Sequence, residues 1–436
     1  MRKTVMFWVG LAVFWGSVCL TGASARVYLD IDSPGFEKFP LAIADFQQRD
    51  GDRTSSDLSL WFPNEIGRYL TMTDYFQIKD RRAFLESSAV SRADPFKVFF
   101  PDWTTIGVDF LVKGVFSLQG NSWATEIRVF DTIKAQEVFR KTYRGTQEGK
   151  SRLAQAMAED ILFALTGTRG LFDSKITFTQ KTPLGSEIYA IPFDGSPPAP
   201  LTKEYALVVS PHWSPDGRYL SYTSYRSKTQ AVYIKDVERK TTRRVSPYPG
   251  INLAGPWSPD GTKMLLTLSR DGNGEIYTLE IATGKLARIT RHFAIDVSPV
   301  WSPDGKQIAF VSDRSGSPQI YIMNADGSGI RRLTDEGAYN TSPAWSPRGD
   351  RIAYESRTNQ GFQIFTVNTQ GEDIRAMTSA EKGIHEKPAW SPDGRYLAVI
   401  SRQGRRHRLV IISVSSSTTR KIYETDRKCS GLDWTR

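Results

Sequence analysis

Tryptophans at positions 213, 257, 301, 345, 390 and 434 stand 44, 44, 44, 45 and 44 residues apart, and each of the first five opens the pentapeptide Trp-Ser-Pro-x-Gly. The variable position is Asp in four copies and Arg348 in the fifth. A fixed period of about 40 to 50 residues marks a stacked or circular repeat, and at this length it points to one propeller blade per repeat.

Within the repeat at 299–334, residues 299–301, 307–312, 319–323 and 330–333 read as four strands of a meander. Asp304-Gly305 and Asp326-Gly327 supply turns whose positive φ suits Gly and tolerates Asp. Ile308, Ala309, Phe310 and Val311 make strand two apolar on both faces, as a sheet packed between two neighbours requires. The ends of the repeat region set the number of blades. Lys175-Ile-Thr-Phe178, Glu187-Ile-Tyr189 and Asp194-Gly195 through Leu201-Thr202 match 307–334 at a constant offset of 132, three periods of 44. This opening fragment has strands two to four but no Trp strand, and 432–435 supplies one with Trp434 in register. A blade assembled from both ends closes the ring without free edges, which predicts six blades over 175–436.

At 436 residues the chain is long enough for two or three units, and 39% hydrophobic with 24% charged residues is ordinary globular composition. Residues 1–25 read as a secretory signal peptide: Arg2 and Lys3, an apolar run from Met6 to Leu20, then Ala23-Ser24-Ala25. That run is short for a retained membrane span, and Val18 before Cys19 argues against lipidation there. Without Arg2 and Lys3 the chain carries 55 basic and 47 acidic residues, a net +8, but no run of five bases, so a nucleic-acid groove is not expected. A basic exported protein favours anionic partners in the envelope. Cys429 would be the one cysteine left, so no internal disulfide is expected.

Residues 26–165 read as a mixed unit of helix and strand, making the fold class an α+β N-terminal domain followed, after a linker at 166–174, by an all-β six-bladed β-propeller. Arg26, Val27, Tyr28, Leu29, Asp30 and Ile31 alternate as a strand with one buried face. A second apolar run covers 40–46, a helix starting at Pro63 is expected within 58–70, and 108–118, 123–130 and 137–143 form an antiparallel meander. Leu153, Met157, Ile161 and Leu165 stripe a helix over 152–165 with Ser151 as its cap.

The recurring Asp of the pentapeptide reads as a turn former rather than a metal ligand, since no second carboxylate stands beside it. His212, His292, His385 and His407 lack metal-ligand spacing, no P-loop or nucleophile elbow occurs, and neither catalytic residues, a cofactor nor a metal is expected. Segments that differ between blades are free to carry function. Because strands alternate in direction, loops leaving strand four share one face with those joining strands two and three. The former, at 203–210, 247–255, 291–298, 335–342 and 379–387, are long and divergent. They hold Tyr205, Tyr248, Asn252, His292, Phe293, Asp296, Tyr339, Asn340 and His385, a composition suited to protein contact at the propeller mouth.

The signal peptide, the small α/β domain, the six repeats and the start Arg26-Val-Tyr-Leu-Asp-Ile-Asp-Ser33 leading into 40–46 are similar to the TolB family, periplasmic propellers of the Tol-Pal system. The resemblance implies a non-enzymatic periplasmic adaptor supporting outer-membrane integrity and cell division. It implies binding of the peptidoglycan-associated lipoprotein Pal at the propeller mouth and of TolA through the N-terminal segment of residues 26–31. On that reading the protein is a monomer, binds no nucleic acid, and meets the envelope membranes only through its partners. Two other classes compete: a hydrolase gated by a propeller, which would need a separate catalytic domain, and a propeller that binds a small molecule or glycan in its central channel.

Overall fold

The computed structural model describes residues 37–49, 56–85 and 94–435. The signal peptide and the strand expected at 26–31 lie outside the described residues. The chain divides into two units, Met1–Thr71 with Tyr75–Arg169, and Met72–Asp74 with Gly170–Arg436.

The first unit contains strands β1 (Phe39–Ile43), β2 (Gln47–Gln48), β3 (Phe76–Ile78), β4 (Phe110–Gln119), β5 (Ser122–Asp131) and β6 (Gln136–Thr146). Its helices are α1 (Ser56–Thr71), α2 (Phe100–Thr105) and α3 (Lys150–Thr166). The sheet runs β3-β1-β4-β5-β6, with β2 also on β4. The expected antiparallel meander is present as β4, β5 and β6, whereas β1 pairs parallel with both β3 and β4. Phe46 leaves β1 and lays its ring where a Cβ on Gly114 of β4 would stand, 2.5 Å away, so that glycine is required by close approach. From there Phe46 stacks on Phe62 of α1, with centroids 6.0 Å apart.

Two expectations about helix ends are corrected. Helix α1 does not start at Pro63 but passes through it. Proline lacks the N–H that would bond the carbonyl four residues earlier, and the Phe46 N–H donates to that Ser59 carbonyl instead at 3.0 Å. Helix α3 starts at Lys150, so Ser151 lies inside it, and Gly149 stands at the cap without a side-chain bond. Its apolar stripe is as expected: Leu153, Met157, Ile161 and Leu165 are buried, and Gly167 at φ 71° ends the helix by donating to the Phe163 carbonyl.

The second unit is a propeller of six four-stranded antiparallel sheets. Blade II starts with the inner strand Val208–Trp213, blade III with Asn252–Trp257, blade IV with Asp296–Trp301, blade V with Asn340–Trp345 and blade VI with Ile384–Trp390. Blade I is built from both ends of the unit: Cys429–Thr435 pairs antiparallel with Lys175–Thr182, bringing Trp434 opposite Ile176. The Thr177 and Thr179 hydroxyls add bonds to the Asp433 and Ser430 carbonyls at 3.1 and 2.6 Å. The six inner strands contact one another in a closed ring.

The inner strands of blades IV and I are each three residues longer than the expected 299–301 and 432–435, because the ladder resumes after a bulge. In blade IV the pairing skips between Val297 and Val300 and continues to Asp296 opposite Ser312. The bulge holds Ser210, Ser298, Ser342 and Lys387 at φ of 53, 51, 52 and 57°, and Gly431 at 57°.

Between blades the tryptophans fill the core. Trp301, 8% exposed, packs with Leu265 and Ile276 of blade III and Ile308 and Phe310 of its own blade. Trp213, Trp257 and Trp434 also donate from Nε1, each at 3.0 Å, to Thr177, Ser221 and Ser174. Beyond each Trp the pentapeptide closes on itself. The Ser302 hydroxyl donates to Asp304 at 2.6 Å and accepts from the Gln307 N–H, while Asp304 also accepts from the Lys306 N–H. The Asp is thus a turn former, held ionised by the Ser302 hydroxyl and the Lys306 N–H.

Two outcomes follow from this architecture. Deleting residues 429–436 should remove the inner strand of blade I and lower the thermal midpoint strongly in calorimetry. Trp301→Ala, which empties an inter-blade site, should cost about 3 to 5 kcal/mol in denaturant unfolding.

Candidate interaction face and central channel

The face bearing the strand-four loops is shaped by a side-chain lock repeated from blade to blade. In four blades a residue at or near the start of strand three accepts from a hydroxyl just past strand four: Glu187 from Thr202, Glu275 from Thr290, Gln319 from Thr334 and Gln363 from Thr378. The same four hydroxyls accept from the backbone N–H of Ile188, Ile276, Ile320 and Ile364. Loop backbone is then pinned to the same group. Glu204 and Tyr205 donate N–H bonds to Glu187 at 2.7 and 2.9 Å, His292 donates to Glu275 at 2.8 Å, and Gln319 and Gln363 donate to the Gly337 and Gly383 carbonyls. The two-to-three hairpins lie on the same face, since the Asn273 amide donates to the His292, Phe293 and Ala294 carbonyls. The alternation of strand directions predicts this sharing.

Four of the residues expected at the mouth are buried beneath the loops. Asn252, Asp296 and Asn340 are 0% exposed and His385 is 4% exposed. Asn252 ties Tyr248 and Gly250 back with amide bonds at 2.8 and 2.9 Å, and Asn340 donates to Gln319 and to the Glu336 carbonyl. Asp296 pairs with Arg314 at 2.8 Å, and His385 Nδ1 lies 3.1 Å from Gln363 Oε1. Burial drives the His385 pKa down, keeping the ring neutral. These four shape the loops and do not reach the surface. The reason is positional: each stands at or beside the start of an inner strand, where the ladder has resumed.

The remaining five are offered outward to different degrees. Phe293 is 87% exposed, Tyr205 69% and Tyr339 36%, and Leu207, Ile251 and Ile295 beside them are also exposed. Tyr248 is half-buried under the Arg270 guanidinium, 4.7 Å from its ring centroid, and the half-buried His292 accepts from the Ala294 N–H through Nδ1. The Leu and Ile members went unnoticed in sequence because an isolated apolar residue in a loop carries no period.

Inside the ring of inner strands lies a channel cavity of about 750 Å³. The residue before each inner tryptophan lines it, and there Pro256, Val300, Ala344 and Ala389 are apolar while His212 and Asp433 are not. Asp433 accepts from the Trp213 N–H at 2.6 Å and the Trp434 N–H at 3.0 Å, yet burial outweighs both and pushes its carboxyl up to about 7. Burial pushes His212 down to about 4. Lys387 also lines the channel, donating to Ser342 at 2.8 Å and pairing with the buried Glu355 at 3.4 Å. Among the described residues no cluster of three His, Cys, Asp or Glu side chains is placed to hold a metal.

The fold and this face define a six-bladed β-propeller, its ring closed by its own C-terminal strand, preceded in the chain by a small α+β domain. Residues 163–436 match the model of the TolB beta propeller domain and residues 27–138 that of the TolB amino-terminal domain, and the chain belongs to the TolB family. It is 42% identical over 213 residues to the Tol-Pal system protein TolB of Syntrophus aciditrophicus, covering 48% of this chain and 47% of that one. It is 35% identical over 231 residues to the protein of the same name from Desulfosudis oleivorans, covering 52% of each. The matched region thus spans about half the length of these curated relatives. The crystal structure of TolB from Acinetobacter baumannii superposes with a TM-score of 0.79 at 24% identity, over 94% of this chain and 100% of that one, a likeness of fold.

The two channel side chains have opposed pH signatures. The raised Asp433 pKa makes folding take up a proton, so its stabilising contribution is full below 3.8 and lost as pH rises through about 7. The lowered His212 pKa makes a contribution that is full above 6.5 and lost as pH falls through about 4. Thermal midpoints from pH 4 to 7.5 should therefore show Asp433→Asn gaining on the parent protein as pH rises, and His212→Gln gaining on it as pH falls.

Proposed function

We propose that this protein is a non-enzymatic adaptor of the Tol-Pal system that works in the periplasm, docks the lipoprotein Pal on its loop face and reaches TolA through residues 26–33. The observation that carries the reading is the crescent of Phe293, Tyr205, Tyr339 and their exposed Leu and Ile neighbours, presented on locked loops. Rigid, exposed aromatics on ordered loops are the usual anchors of a protein interface. Membership of the TolB family and the naming of its relatives as Tol-Pal system proteins support the choice of system.

The TolA arm rests on sequence. Val27, Leu29 and Ile31 alternate with polar residues near a chain end, a pattern suited to strand addition at another protein's sheet edge. A second reading, a small molecule or glycan held in the channel, is favoured by the cavity and by His212, Lys387 and Asp433 on its wall. A pull-down from periplasmic extract separates the two, because the channel reading retains no lipoprotein.

In binding calorimetry with the periplasmic domain of Pal, Phe293→Ala or Tyr339→Ala should weaken the complex by about 2 kcal/mol or more without changing the melting curve. Asp326→Ala, in a turn on the opposite face, is the control and should bind as the parent does. Deleting residues 26–33 should abolish TolA binding in the same assay and leave Pal binding intact; retained TolA affinity would refute that arm.

A further inference from the structure

The charge of the loop face is unevenly placed. Three loops of blades VI and I on that face, 181–184, 402–406 and 426–428, carry six bases, Lys181, Arg402, Arg405, Arg406, Arg427 and Lys428, against one acid, Asp426. The fold brings them together. The Lys181 N–H donates to the Lys428 carbonyl at 2.8 Å, and Arg402 pairs in register with His407 of the neighbouring strand. His407 has its pKa lowered by burial first and then by Arg402 and Lys428, so both cations act on one point. Arg406 pairs with Glu424 at 3.2 Å, while the other five bases make no ion pair among the described residues.

Across the remaining loops of the face, 203–207, 225–230, 247–251, 269–274, 291–295, 313–318, 335–339, 357–360 and 379–383, eight bases stand against six acids, and Arg226, Arg270 and Arg314 pair with Glu204, Asp271 and Asp296. The loop at 335–339 holds Asp335 and Glu336 and no base. The surplus is therefore a sector, continuous with an apolar crescent on the same face.

Resting on the loop-face reading, we infer that this sector is a second half of the docking surface, which receives an acidic patch of the partner protein standing beside that partner's apolar contact. Unpaired, exposed cations act at range, so they raise the rate of encounter and fix the orientation of the incoming surface more than they slow its departure. The apolar crescent then sets the lifetime. An anionic lipid headgroup would satisfy the charges alone but gives no use to Phe293 and Tyr339 on the same face, and the partner protein satisfies both.

The test measures association of the Pal periplasmic domain with the full chain at 50 and 300 mM NaCl, for Arg405→Glu/Lys428→Glu and for Arg243→Glu/Arg244→Glu on the outer strand of blade II. Both pairs are exposed and remove the same charge. The first pair should slow association about ten-fold at 50 mM, flatten the salt dependence and leave dissociation nearly unchanged, while the second behaves as the parent does. Equal effects of both pairs would mean a net-charge effect and overturn the sector. If the first pair changes nothing while Phe293→Ala weakens the complex, the sector is wrong and the loop-face reading stands. If Phe293→Ala and Tyr339→Ala also change nothing, the loop-face reading fails and takes the sector with it. Phosphatidylglycerol vesicles are the remaining arm: loss of vesicle binding by the first pair, with lipoprotein association intact, would assign the sector to lipid and overturn the inference.

Discussion

Everything in the propeller hangs on the pairing of Cys429–Thr435 with Lys175–Thr182. A ring of sheets gains inter-blade burial at every junction only if the last junction is made; otherwise two blades expose apolar faces and one sheet keeps a free edge. The closure is hydrogen-bonded twice over, by the strand ladder and by the Thr177 and Thr179 hydroxyls. It also carries the carboxylate of Asp433 across to the Trp213 N–H of blade II. One strand thus serves as inner wall of the channel, first strand of a blade and staple between neighbouring blades.

Around that ring, structure and function are divided by position. The Trp junctions, the Ser-Asp turns and the Glu or Gln locks to Thr recur because each blade has the same burial problem to solve. Their recurrence frees the loops between strands four and one from any part in closure. What that face displays is then a matter of side chain alone: aromatic and aliphatic groups on the loops between strands four and one, and a surplus of cations at 181–184, 402–406 and 426–428. A docking surface on locked backbone loses little conformational entropy on binding.

Much of the fold was legible in the sequence because repetition shows it many times over. A single apolar run is ambiguous between strand and helix, but six copies in register are not. In the first unit, where nothing repeats, the errors gathered at Pro63 and Ser151. A proline in a helix is tolerated when a distant group takes the freed carbonyl, and the Phe46 N–H that does so is remote in sequence from Ser59. The parallel strand Phe76–Ile78 was missed for a similar reason, being three residues long and defined only by its neighbour.

The site divides along the same line. Sequence by itself determined the blade number, the closure and the loops that are free to vary, since all three follow from spacing and alternation. It could not separate Asn340, sealed beneath its loop, from Tyr339, exposed beside it, because one step along a chain at a strand's start is a step from solvent into the ladder. Nor could it gather Lys181, Arg402 and Lys428 into one sector, for charge adds up in space and not along the chain. The tertiary structure decided both: which loop residues the locks bury, and which distant cations the closed ring sets side by side.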